Sequence, residues 1–139
     1  MENVFFARQP ILDVNNNTYG YELLYRNQPG VNQYTGDNGD ISTADVINNA
    51  FFLDNITSVL DGKKAFVNFT GNLIERGVPK MISSDILVVE LLESVVATPE
   101  IIKRCLELKK IGYILALDDY EFNDSTKSLF ELADIVKLD

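Results

Sequence analysis

Extended apolar runs and helix-spaced apolar stripes alternate along this chain, and turn-rich stretches separate them. Val4 to Ala7 is a short apolar run that predicts a first strand. After Gln9-Pro10-Ile11-Leu12-Asp13, the triplet Asn15-Asn16-Asn17 marks a turn. Thr18 to Arg26 is rich in aromatic and aliphatic residues and predicts a second strand, paired antiparallel with the first through the short connection. Residues 27–40 are dense in Asn, Gly, Asp and Gln, the composition of a loop. Ser42 or Thr43 can cap a helix to about Asn55, with Val46, Ile47, Ala50, Phe51 and Leu53 as its stripe. Ala65 to Phe69 predicts the next strand, and Gly77 and Pro79 place a short helix and a loop over 70–83.

The second half is more regular. Ile86 to Leu91 is nearly continuous in apolar residues, the pattern of a strand buried on both faces of a parallel sheet. Thr98-Pro99-Glu100 opens a helix, with a hydroxyl at the cap, proline in the first turn and a carboxylate near the positive end of the dipole. Its stripe runs through Ile101, Ile102, Cys105, Leu106 and Leu108 to Ile111, and Gly112 ends it. Tyr113 to Asp118 is a strand, Ser125 caps a helix over 126–133, and Ile135 to Leu138 is a last strand. Strand, helix, strand, helix, strand predicts an α/β fold of parallel βα units behind one antiparallel first strand, a single domain over 1–139.

Composition narrows the chemistry. The 139 residues carry 12 Lys and Arg against 21 Asp and Glu, a net charge of −9, and no His. A broad DNA- or RNA-binding surface needs clustered positive charge, so nucleic acid is excluded as a partner. Imidazole chemistry is excluded outright. The one cysteine, Cys105, rules out an internal disulfide and lies on a helix stripe, so it reads as core. Met1 to Arg8 holds too few apolar residues for a signal-peptide core, and no run approaches the roughly 20 apolar residues of a membrane span. The expectation is a soluble cytoplasmic protein with no membrane contact.

The polar residues in the strands carry the functional signal. Asn68, Glu90 and Asp118 each stand at or next to the C-terminal end of an apolar strand, about one βα repeat apart, and Lys137 and Asp139 close the last one. Phe66 and Asn68 share a strand face, as do Val88 and Glu90, Ala116 and Asp118, and Lys137 and Asp139. The carboxyl edge of a parallel sheet is where α/β folds place their chemistry. An amide, several carboxylates and a lysine, with no sulfur or imidazole, suit a hard cation. Taken one at a time, Glu93, Asp119, Glu121 and Asp124 also fit helix caps or loop positions.

These residues together resemble the EAL domains, the cyclic di-GMP phosphodiesterases. Gln9-Pro10-Ile11 and Gly20-Tyr21-Glu22-Leu23-Leu24-Tyr25-Arg26 resemble the family's opening, with Glu22-Leu23-Leu24 in place of its name motif Glu-Ala-Leu. Val67-Asn68-Phe69, Glu90-Leu91-Leu92-Glu93, Asp118-Asp119-Tyr120 and Lys137-Leu138-Asp139 resemble its later motifs, in the family's order. Phe-Ala-Arg-Gln-Pro-Ile followed by Tyr-Glu-Leu-Leu-Tyr-Arg is most similar to the subgroup in which a degenerate EAL domain precedes an HDOD domain.

The resemblance implies a partial TIM-like barrel in which Mg²⁺ or Mn²⁺ serves phosphodiester hydrolysis of cyclic di-GMP to linear pGpG. It implies Glu22, Asn68, Glu90, Asp118 and Asp119 as metal ligands, and Glu22, Asp118 and Lys137 as the catalytic set, with Lys137 orienting or activating the water. Gln9 and Arg26 would bind substrate, Arg26 through a phosphate, and Glu93 would brace the loop after Asp118-Asp119. Departures from the family pattern are Glu121 where a Gly is usual, Leu23 for the small Ala, and a sequence that stops at the sixth strand, before the family's later Glu and Gln. The expectation is therefore a cyclic di-GMP signalling domain with little or no turnover in this stretch alone. Two other readings stand beside it: a catalytically silent regulatory module acting through protein contacts, and a receptor that binds the nucleotide without cleaving it. An exposed barrel edge would favour a homo-oligomer, and the subgroup implies an adjoining HDOD-type domain.

Overall fold

The computed structural model describes residues 5–26 and 60–138. The expected loop over 27–40 and the expected helix to about Asn55 lie outside the described residues. The chain divides into two compact units, Met1–Val67 and Asn68–Asp139.

In the first unit, β1 (Phe5–Leu12) pairs antiparallel with β2 (Thr18–Arg26). β1 is longer than the apolar run Val4–Ala7 predicts, because it continues through Pro10. Proline lacks a ladder donor, and strands that hold one lie at sheet edges. The turn between them is built by Asp13, whose Oδ1 accepts from the backbone N–H groups of Asn15 at 2.8 Å and Asn17 at 3.0 Å. Asn16 takes the left-handed conformation there, at φ 64°, which asparagine tolerates better than other side chains. β2 then runs parallel to β3 (Lys64–Phe69), with Gly20 opposite Lys64 and Glu22 opposite Phe66. Gly20 is fixed by close approach: a Cβ there would lie 2.7 Å from the Lys64 carbonyl oxygen and 2.8 Å from the Phe66 ring.

In the second unit the parallel strands β4 (Leu87–Leu91), β5 (Ile114–Asp118) and β6 (Ile135–Lys137) lie side by side. Every residue of β4 is buried, as the unbroken apolar run predicts, and one of the five is Glu90. A short helix, α1 (Gly71–Glu75), and a 3₁₀ turn over Val78–Met81 precede β4. Helix α2 (Pro99–Lys110) joins β4 to β5. Thr98 Oγ1 caps it, accepting from the Ile101 N–H at 3.1 Å, and Gly112 leaves it at φ 106°. The buried stripe is Ile101, Cys105 and Leu108. It is narrower than the sequence predicts, since Leu106 and Ile111 are exposed.

Helix α3 (Lys127–Leu132) starts after Thr126, not Ser125. The Ser125 hydroxyl instead donates to Asn123 Oδ1 at 2.6 Å, so it is spent within the turn. The Thr126 hydroxyl donates to the Glu121 carbonyl at 2.7 Å. Two further side chains lock the layer. Asp134 accepts from Lys109 Nζ at 2.9 Å and from the Leu115 N–H at 3.0 Å. The Tyr113 hydroxyl donates to the Ile82 carbonyl, and burial pushes its pKa up.

Candidate functional site

The strand register of the second unit decides which polar side chains meet. Glu90 lies opposite Ala116, Ala116 opposite Ile135, and Asp118 opposite Lys137. Cross-strand partners project to the same face, and residues two apart on a strand do too. Glu90, Ala116, Asp118 and Lys137 therefore share one face near the C-terminal ends of three adjacent parallel strands. Lys137 Nζ stands 2.6 Å from Glu90 Oε2 and 3.5 Å from Asp118 Oδ1. Ala116 holds the position between Glu90 and Ile135 with only a methyl group.

A carboxylate in the middle of a Leu-Val strand is costly unless its charge is compensated. Glu90 is fully buried, and the Lys137 ammonium supplies that compensation while its own side chain is 18% exposed. Asp118 is half-buried. Immediately after it, Asp119 turns outward in the left-handed conformation at φ 61°, a backbone state sparsely used by residues other than glycine. Asn68 is half-buried near the end of β3.

A further residue holds the loops that follow these acids. The Tyr120 hydroxyl lies 2.6 Å from the Leu92 carbonyl oxygen and 2.9 Å from that of Val95. Burial above all, with the neighbouring Cys105 and Glu93, pushes its pKa up, so it stays a hydroxyl donor. In the first unit, Glu22 is buried on β2 opposite Gln9, which is exposed on β1. The Arg8 guanidinium stacks over the Tyr21 ring at 4.4 Å. Arg26 ends β2.

Solved structures of larger proteins match this chain almost end to end, while the chain covers less than half of each. The EAL enzyme Bd1971 in its cAMP- and cyclic-di-GMP-bound form matches 99% of this chain and 46% of its own, with a TM-score of 0.67 at 17% identity. The Bacillus subtilis YkuI protein, solved with an EAL domain in complex with substrate c-di-GMP and calcium, matches 98% of this chain and 41% of its own, with a TM-score of 0.64. In sequence, the cyclic di-GMP phosphodiesterase CdgJ of Vibrio cholerae is 30% identical over 141 residues. The chain is a partial EAL-type domain. A Bacillus subtilis protein, YuxH, is 41% identical over 141 residues. No protein-family model matches the chain. This EAL-type domain spans about a third of the length of the curated relatives it matches, 34% of YuxH and 32% of CdgJ.

Within this EAL-type domain the sequence-predicted set is partly assembled on the second unit. Glu90, Asp118 and Lys137 meet there. Asp119 is next to them in the chain but exposed. The donor chemistry fits a hard divalent cation: the carboxylates of Glu90 and Asp118 are oxygen donors, and neither thiolate nor imidazole is near. Glu93, expected to brace the loop after Asp118-Asp119, is exposed; the bonds described between the two loops come from Tyr120. Sequence reasoning took Tyr120 as a family aromatic and missed its hydroxyl. The signal was there in the tyrosine itself, since a buried Tyr almost always finds a partner for its hydroxyl.

Proposed function

We propose that this chain is part of a cyclic di-GMP signalling domain whose strand-end carboxylates hold a divalent cation, Mg²⁺ or Mn²⁺. The observation that carries the reading is the Lys137–Glu90–Asp118 constellation at the C-terminal ends of three parallel strands. The match to EAL proteins solved with cyclic di-GMP supports it. A bound cation would polarise a phosphoryl oxygen and lower the pKa of a coordinated water. The chain's own residues have separate tasks. Glu22, Asn68, Glu90, Asp118 and Asp119 are the proposed ligands. Lys137 pairs with Glu90, and its proposed task is to orient a water by hydrogen bonding. Gln9 and Arg26 are the proposed contacts to the nucleotide, Arg26 through a phosphate.

Turnover by this stretch is proposed to be absent or very slow. A (β/α)₈ barrel takes about 250 residues, and only six strands are described here. A self-association through the outer edge of β6, an adjoining HDOD-type domain and residence in the cytoplasm belong to the same proposal. Among the described residues no helix is long and apolar enough to cross a membrane.

A second reading is favoured by one specific observation. The Lys137 ammonium already pairs with Glu90 and reaches toward Asp118, so one of the two carboxylate charges is offset without a metal. A silent regulatory module would keep this arrangement as structure only. Mn²⁺ titration followed by electron paramagnetic resonance separates the two. The metal-binding reading expects saturable loss of the free-ion signal that Glu90→Ala abolishes. Saturable binding that survives Glu90→Ala would move the ion elsewhere, and no binding would leave the silent module. Chromatography of cyclic di-GMP incubated with Mn²⁺ tests turnover. Rapid pGpG formation, lost in Glu22→Ala, would replace slow turnover with an active enzyme.

A further inference from the structure

We infer that the Tyr120 hydroxyl is a positioning clamp that sets the two loops following Glu90 and Asp118. The metal arm of this inference rests on the function proposed above; the clamp itself does not. Leu92 lies two residues after Glu90, and Tyr120 two residues after Asp118, so one side chain ties together the points where the two acid-bearing strands become loops. The Leu92–Val95 turn is closed by the Val95 N–H donating to the Leu92 carbonyl at 2.9 Å. Both carbonyls of that turn face the same hydroxyl, at 2.6 and 2.9 Å. A phenyl ring at 120 would fill the same space but leave the Val95 carbonyl without this donor.

The far side of the second loop is pinned as well. The Thr126 hydroxyl donates to the Glu121 carbonyl at 2.7 Å, and Asn123 Oδ1 accepts from the Ser125 N–H at 2.9 Å and the Thr126 N–H at 3.1 Å. Immediately before the first anchor, Tyr120, sits Asp119 at φ 61°. Left-handed backbone at a non-glycine residue persists where its surroundings over-determine it, and Tyr120 is the adjacent residue that does so. The loop is thus held by side-chain bonds of its own. Tyr120 is a positioning residue: it acts through the backbone of Asp118 and Asp119.

The test compares wild type, Tyr120→Phe and Tyr113→Phe in the full 139-residue chain. Amide hydrogen exchange is read in metal-free protein, and Mn²⁺ affinity by paramagnetic resonance. Tyr120→Phe is expected to speed exchange at 92–96 and 119–122 by about tenfold relative to the rest of the second unit, as local opening becomes easier. It is also expected to weaken Mn²⁺ binding by about tenfold, the size of effect typical of removing an outer support of a metal site. Tyr113→Phe removes a comparable hydroxyl bond, to Ile82, and is expected to lower the melting temperature without moving Mn²⁺ affinity. Unchanged exchange at both segments in Tyr120→Phe would overturn the clamp. Faster exchange with unchanged Mn²⁺ affinity would overturn its positioning role. If wild type binds no Mn²⁺, the proposed metal function fails, and the exchange comparison alone decides the clamp.

Discussion

Lys137 and Glu90 stand 47 residues apart in the chain, yet Lys137 Nζ lies 2.6 Å from Glu90 Oε2. Strand β5 separates the strands that carry them, and the lysine reaches across its Ala116 position. The sheet register brings this about without help from any loop. Asp118 is paired with Lys137 across one strand gap, Glu90 with Ala116 across the other, and all four side chains share one face.

Removing the ammonium therefore takes a charged partner away from a carboxyl that is fully buried in an otherwise apolar strand. Lys137→Met is expected to lower the unfolding free energy by about 3–5 kcal/mol, the usual cost of breaking a buried ion pair from one side. Adding Glu90→Gln should recover part of that loss, because the carboxyl that lost its lysine partner is then replaced by a neutral amide. Urea denaturation of the two single variants and the double variant measures the coupling. A fully additive double variant would mean that the pair contributes nothing jointly. In Lys137→Met alone, millimolar Mn²⁺ should restore stability by mass action if the carboxylates hold a cation.

Acid should act through Asp134. Burial raises the pKa of this carboxyl, but the hydrogen bonds from Lys109 and from the Leu115 N–H outweigh it and hold the group below the ordinary carboxylate range. The folded state then releases this proton more readily than the unfolded state does. Its contribution is complete above the unfolded value of about 3.9 and is lost as pH falls through the lower folded value. Asp134→Asn should leave the neutral-pH chain folded and make the fall in stability below about pH 4 shallower. Denaturant midpoints measured from pH 6 downward would show it. Parallel curves for the two chains would mean that Asp134 is not part of the acid response.

Much of this was legible from residue types alone. A strand that must bury both faces has to be apolar throughout, so Leu87–Leu91 announced itself, and Glu90 inside it announced a site. Thr98-Pro99 and Gly112 bracketed α2 because caps act through local bonds. Legibility ended where several side chains compete for the same partners. Ser125 and Thr126 are both capping residue types, yet neither hydroxyl caps α3: that of Ser125 goes to Asn123 Oδ1 and that of Thr126 to the Glu121 carbonyl. Tyr120 could not be placed because its acceptors, the carbonyls of Leu92 and Val95, belong to a loop remote in sequence. The continuation of β1 through Pro10 likewise follows from pairing with β2, which overrides the local preference of Gln9-Pro10 for a turn.

Cys105 should be chemically silent in the folded chain. It is fully buried on the inner stripe of α2, and burial pushes its thiol up to about 11. The thiolate is the reactive form, so both access and ionisation are suppressed. A disulfide reagent at pH 8 should label the native protein no faster than it unfolds and label the urea-unfolded chain at once. Rapid labelling of native protein would place the α2 stripe at the surface.

Gly20→Ala tests how closely β2 and β3 are packed in the first unit. An added methyl would stand 2.7 Å from the Lys64 carbonyl oxygen and 2.8 Å from Cε1 of Phe66. Neither neighbour yields easily. The Lys64 carbonyl belongs to the paired backbone, where Lys64 faces Gly20 in register. The Phe66 ring is fully buried and meets Tyr19 edge-on at 5.9 Å between centroids. Overpacking of this kind typically costs about 1–3 kcal/mol, and the backbone oxygen places this site toward the upper part of that range. Phe66→Leu removes ring atoms but not the carbonyl. Combined with Gly20→Ala, it should give a loss smaller than the sum of the two single losses, with a residual penalty from the carbonyl contact. Thermal or urea unfolding of the four chains reads the coupling. A Gly20→Ala chain as stable as wild type would show that β2 and β3 lie further apart at this position than their register implies.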